Sequence, residues 1–150
     1  MKKVLAALVL TLGFAAMAAE GTYSISGSVG YAGGWFGGIE ATWDCQLYQP
    51  PVGRLRPTLD LEYGAGGIQG AALMRFVNRV PNLPVGLGGG LGLRYESGLQ
   101  AYGRLDGMLK LDKIVGYPIV LSADVGYAYG FGAAPSGVVS HFKAGYCFEF

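Results

Sequence analysis

Charge is scarce in this chain, and so are the residues that catalytic and metal-binding chemistry most often draw on. Asp, Glu, Lys and Arg make up 14% of its 150 residues, eleven basic against ten acidic for a formal net charge of +1. A soluble surface usually carries about 25–35% of such residues. The near balance of sign leaves no basic footprint for nucleic acid. One histidine, His141, and two cysteines, Cys45 and Cys147, are a poor ligand set for a metal, and no zinc spacing appears. The run Gly86-Leu-Gly88-Gly-Gly-Leu-Gly92 has neither the Lys-Ser/Thr nor the following helix of a phosphate loop. No cofactor is therefore expected. Long apolar runs are missing too. Beyond the first twenty residues, Gly, Pro or a charge interrupts every one, which excludes a membrane-spanning helix of about 20 residues. The 27 glycines show no three-residue period and exclude a collagen-like chain.

The chain opens with Met1-Lys2-Lys3, an apolar run from Val4 to Leu12, and the small residues of Ala16-Met17-Ala18. This is the pattern of a secretory signal peptide. Residues 1–19 are accordingly expected to be removed and residues 20–150 to form one domain. Loss of Lys2 and Lys3 leaves nine basic against ten acidic residues. An apolar exported chain without a spanning helix has one other way to satisfy its backbone in lipid, a closed β-barrel.

Alternation of apolar and polar residues fits that solution. Punctuated by turn residues, the chain reads as eight strands at about 22–31, 35–44, 54–63, 68–77, 84–95, 98–111, 117–129 and 138–150. Each approaches or exceeds the roughly 9–11 residues a tilted strand needs to cross a bilayer. The expected fold is all-β, an eight-stranded antiparallel up-and-down transmembrane β-barrel. On the apolar parity, rings stand at strand ends with small aliphatics between them, as in Tyr23 and Tyr31, Trp35 and Trp43, Tyr117 and Tyr127. Amphipathic rings framing an apolar band mark a lipid-facing wall; a soluble core would gather its rings centrally.

The other parity carries Glu40, Asp60, Glu62, Glu96, Asp106, Asp124 and Glu149 against Arg56, Arg75, Arg94, Arg104, Lys110 and Lys143, with His141. An eight-stranded barrel is just wide enough for side chains to fill it, and confined charges must pair or stay hydrated. The prediction is a filled, ion-paired lumen, with the glycines of strand five making room for Tyr102, Arg104 and Met108 of strand six. An even strand count puts both termini in the periplasm. The longest connection then falls on the inner side at 45–53, and the outer loops are short, against the usual pattern.

The last strand ends Lys143-Ala-Gly145-Tyr-Cys-Phe148-Glu-Phe150. This resembles the polar–x–Gly–x–x–apolar–x–aromatic assembly signal of small bacterial outer-membrane barrels of the OmpA and OmpX type. The resemblance implies an outer-membrane location, and recognition of Lys143, Gly145, Phe148 and Phe150 by the barrel-assembly machinery after delivery by periplasmic chaperones. It carries no catalytic residue. Membrane lipid is the expected partner and a monomer the expected state.

For catalysis, His141 with Asp124 and Ser140, Ser122 or Ser136 is the set to weigh. Ser140 lies on the opposite face from His141, however, and a triad needs base and nucleophile within hydrogen-bond reach. Asp60-Leu-Glu62 reads as lumen charge. The expectation is a structural barrel without enzymatic activity, serving membrane integrity or surface interaction. A narrow water or ion channel is the alternative, and a lipid-modifying hydrolase or acyltransferase follows it. Cys45 and Cys147 lie toward one end of strands two and eight, and their pairing is left open by the distance across the intervening strand.

Overall fold

The computed structural model describes residues 22–44 and 55–149. Eight strands close into one barrel in sequence order. They are β1 (Thr22–Tyr31), β2 (Trp35–Trp43), β3 (Leu55–Gly64), β4 (Gly67–Arg79), β5 (Val85–Tyr95), β6 (Leu99–Lys110), β7 (Ile119–Gly130) and β8 (Gly137–Glu149). Every neighbouring pair is antiparallel, and β1 pairs with β8 from Thr22↔Glu149 to Tyr31↔Ser140 to shut the cylinder. Closure leaves no unpaired edge.

The alternation sorts side chains as a barrel requires. Leu91 and Leu105 are about as exposed as outward side chains become (75% and 70%), with Ile39, Leu61, Val125 and Phe142 in the same belt. Trp35, Tyr63 and Tyr117 stand exposed nearer the strand ends. Charged side chains point inward: Arg56, Arg75, Arg94, Arg104 and Lys143 are buried, as are Glu40, Asp60, Glu62, Asp106 and Asp124. This is a globular protein inverted, with its apolar side chains outside.

Strand ends differ from those the sequence predicts by two residues or fewer, and β1 not at all. Pro118 falls just before β7 and serves only as an acceptor, its carbonyl receiving the amide of Cys147 at 2.8 Å. Pro57 lies inside β3, one residue beyond the point where pairing with β2 stops at Thr42↔Thr58, so its missing donor costs no ladder bond there. The connection after β6 contains a helical turn that alternation does not reveal, α1 (Asp112–Val115). It is closed by Gly116 at φ 77°, whose amide donates to the Asp112 carbonyl.

The glycines of β5 make their closest approach to β4. A Cβ built on Gly88 would strike the Phe76 carbonyl oxygen and come within 2.7 Å of Val77 Cα. On Gly90 it would lie 2.8 Å from Arg75 Cγ, and on Gly92 it would strike the Ala72 carbonyl oxygen. The space serves β4, the strand directly opposite in register (Leu73↔Gly92, Arg75↔Gly90, Val77↔Gly88). On the other side Gly86, Gly90 and Gly92 stand in register with Met108, Arg104 and Tyr102 of β6, so the β4 contacts add to the neighbours the sequence predicts. Tight curvature crowds inward Cβ positions on adjacent strands, and glycine on one of them relieves the contact.

Candidate functional site

The lumen is layered. Its middle is a charged cluster held by strands far apart in sequence. Arg104 on β6 sends Nη2 to Glu40 at 2.7 Å, Nη1 to Asp60 at 3.0 Å and Nε to Asp106 at 3.0 Å. Arg75 on β4 joins Glu40 and Asp106, each at 3.1 Å. Lys143 on β8 bonds Glu40 and lies 3.1 Å from Asp124 and 3.5 Å from Asp60. Thr42 and Thr58 share a hydrogen bond of 3.1 Å, and Thr42 also donates to Glu40 at 3.3 Å. Toward the end remote from the chain termini, Arg94 reaches Glu62 at 3.3 Å and Glu96 at 3.2 Å, the last half-exposed at the rim.

His141 is clamped between two acids, Nδ1 on Asp124 at 2.6 Å and Nε2 on Glu62 at 2.7 Å. Ionised carboxylates only accept, so both contacts are ordinary hydrogen bonds when the ring carries both protons. In that form the buried charged side chains among the described residues balance: Glu40, Asp44, Asp60, Glu62, Asp106 and Asp124 against Arg56, Arg75, Arg94, Arg104, Lys143 and His141. Balance with close geometry is the condition under which buried charges are tolerated.

Apolar side chains bracket the charges. Val77, Met108, Val120 and Cys147 cluster toward the terminal end. Phe36, Ala71, Leu73, Tyr102, Ala128 and Val139 cluster toward the other. Phe36 sets its ring edge-to-face with His141 at 5.2 Å and lies under the Arg94 guanidinium at 5.5 Å. These apolar inward residues are what blurred the alternation of β4, where Ala71, Leu73 and Val77 stand on the inner parity.

Other predicted residues are less central. Lys110 is half-buried at the end of β6. Gly145 and Phe148 lie in β8, while Phe150 and the side chain of Glu149 fall outside the described residues. Cys147 is buried and disulfide-bonded; Cys45 lies outside the described residues. Ser140 is on the outer parity, paired with Val125 and Tyr31. Ser122 is on the inner wall and Ser136 in the β7–β8 loop, where its hydroxyl accepts the Gly130 amide at 2.8 Å. Both ring nitrogens of His141 are thus taken by carboxylates rather than by a serine. The threonine pair was missed as part of the cluster. Its inner parity was legible, but only proximity to Glu40 shows that Thr42 bonds that acid.

No protein-family model matches the chain, and no curated protein does. A solved structure does, the crystal structure of the outer membrane enzyme PagL, with a TM-score of 0.58 at 17% identity over 85% of this chain and 99% of that one. The likeness is one of fold: a closed eight-stranded antiparallel barrel, here as in an outer-membrane protein. It also overturns an expectation. The absence of enzymatic activity was argued from the lack of a recognisable triad, yet this architecture is shared with an enzyme, so that argument does not hold and the expectation is withdrawn.

Proposed function

We propose that the protein is a small outer-membrane barrel of the OmpA and OmpX kind, exported by its N-terminal signal. Its lumen is a sealed, self-neutralising plug, and its role is in membrane integrity or surface interaction. The carrying observation is the layering. A solute crossing the lumen would have to part the Arg104–Glu40–Lys143 cluster and both apolar layers. Desolvating and separating buried ion pairs is costly. This favours a plug over the narrow-channel alternative. Membrane lipid is the partner of the outer wall, and the barrel-assembly machinery and periplasmic chaperones are those of biogenesis. Purified protein in planar bilayers is expected to give no discrete conductance steps. Reproducible steps abolished by Arg104→Ala would overturn the plug.

A second reading, a lipid-modifying hydrolase or acyltransferase, is favoured by the likeness to an outer-membrane enzyme. The clamped ring of His141 gives no support to that residue as its base. Lipid profiles of membranes with and without the protein test the reading directly, and identical profiles would remove it.

A further inference from the structure

The β1–β8 pair is the one contact that closes the cylinder, and its inner wall is asymmetric. On β1 the inward residues are Thr22, Ser24, Ser26, Ser28 and Gly30, small and uncharged throughout. On β8 they include the two basic side chains Lys143 and His141, both buried. Neither pairs with its β1 neighbour in register, Ser28 for Lys143 and Gly30 for His141. Each passes over the low wall of β1. Lys143 bonds Glu40 on β2 and lies 3.5 Å from Asp60 on β3; His141 bonds Glu62 on β3 at 2.7 Å. Both also hold Asp124 on β7, behind them. The pairs therefore span the seam from β7 and β8 to β2 and β3 and exist only when it is shut.

A second observation is independent of charge. A Cβ on Gly145 would strike Ser26 Oγ and the Ile25 carbonyl oxygen and lie 2.6 Å from Ser26 Cα, all on β1. The strands can meet at this height only because residue 145 has no side chain.

We infer that Lys143 and Gly145 form a seam lock of the folded barrel: Gly145 lets β1 approach β8, and Lys143, with His141, ties the closed seam to β2 and β3. Two positions of the C-terminal motif thus have a reason to exist in the finished structure, apart from any reading by assembly machinery. The lock requires a cation long enough to cross β1 and small residues on β1 beneath it.

Refolding without the machinery separates the two roles. Urea-unfolded full-length wild type, Lys143→Met, Gly145→Ala and the control Lys110→Met are diluted into detergent micelles, and folded yield and backbone hydrogen exchange are followed. The expected result is wild-type yield for Lys110→Met, within twofold, and at least a fivefold loss for Gly145→Ala. For Lys143→Met, amide exchange in the β1–β8 ladder should accelerate more than tenfold relative to the β4–β5 ladder. Wild-type yield for Gly145→Ala, or an even acceleration around the barrel in Lys143→Met, would overturn the lock. Should Lys143→Met not fold, the wild type alone decides. A β1–β8 ladder exchanging as slowly as β4–β5 supports a locked seam, and one exchanging more than tenfold faster refutes it.

Discussion

At the scale of single residues, what matters inside this barrel is the match between volume and charge. Arg104 is the hub, with Glu40, Asp60 and Asp106 around one guanidinium. Arg104→Met should leave those carboxylates under-compensated and cost about 3–5 kcal/mol, the usual scale for removing one partner of a buried pair. Urea unfolding in detergent measures it. Volume is as strictly set. Gly92→Ala places a methyl against the Ala72 carbonyl and Leu73 Cα and should destabilise by about 1–3 kcal/mol, as overpacking does. Gly107→Ala meets nothing closer than 3.8 Å and should be close to neutral in the same measurement. Equal losses for the two glycines would show that strand propensity, rather than contact with β4, governs the glycine effect.

At the scale of elements, each strand has one exposed apolar wall, which the proposed function sets against lipid, and one wall for the lumen, and depth along it sets the cost of error. Leu91 lies in the exposed aliphatic belt of β5, and Tyr63 at the end of β3. In a bilayer, arginine costs about 2–4 kcal/mol at mid-depth and about 0–1 near the interface. Leu91→Arg should therefore lose several-fold more stability in lipid vesicles than Tyr63→Arg. A water-facing wall would tolerate both alike. The inner walls differ from strand to strand: β1 is small and neutral, β4 mixes Arg75 with Leu73 and Val77, and β8 supplies Lys143 and His141, which reach across the seam. Those differences, invisible to a hydropathy average, decide which strand can stand beside which.

At the scale of the whole molecule, closure makes the ladder continuous and the charge cluster common to β2, β3, β4, β6, β7 and β8. Such a barrel should unfold as one unit and resist detergent until heated. Unboiled protein is expected to migrate differently from boiled protein on a denaturing gel, and identical mobility would contradict a detergent-stable barrel. Deleting Phe150 should lower the amount reaching the outer-membrane fraction in cells, and unchanged heat-modifiable protein there would remove its role in assembly.

The sequence by itself determined the strands, their parity and their number, because alternation is a local property with a period of two, blurred only in β4. It also placed Glu40, Asp60, Glu62, Asp106, Asp124 and the cations around them on one parity, since parity needs no knowledge of any partner, while Lys110 and Glu96 are only half-buried. Tertiary structure alone decided who meets whom. Arg104 and Glu40 are 64 residues apart, and no local pattern encodes their contact. The same holds for the β5 glycines, whose role depends on the strand opposite, and for α1, a single turn too short to show a helical period. His141 is the clearest case. Parity placed it in the lumen, but only closure of the cylinder brought Asp124 and Glu62 to its two nitrogens.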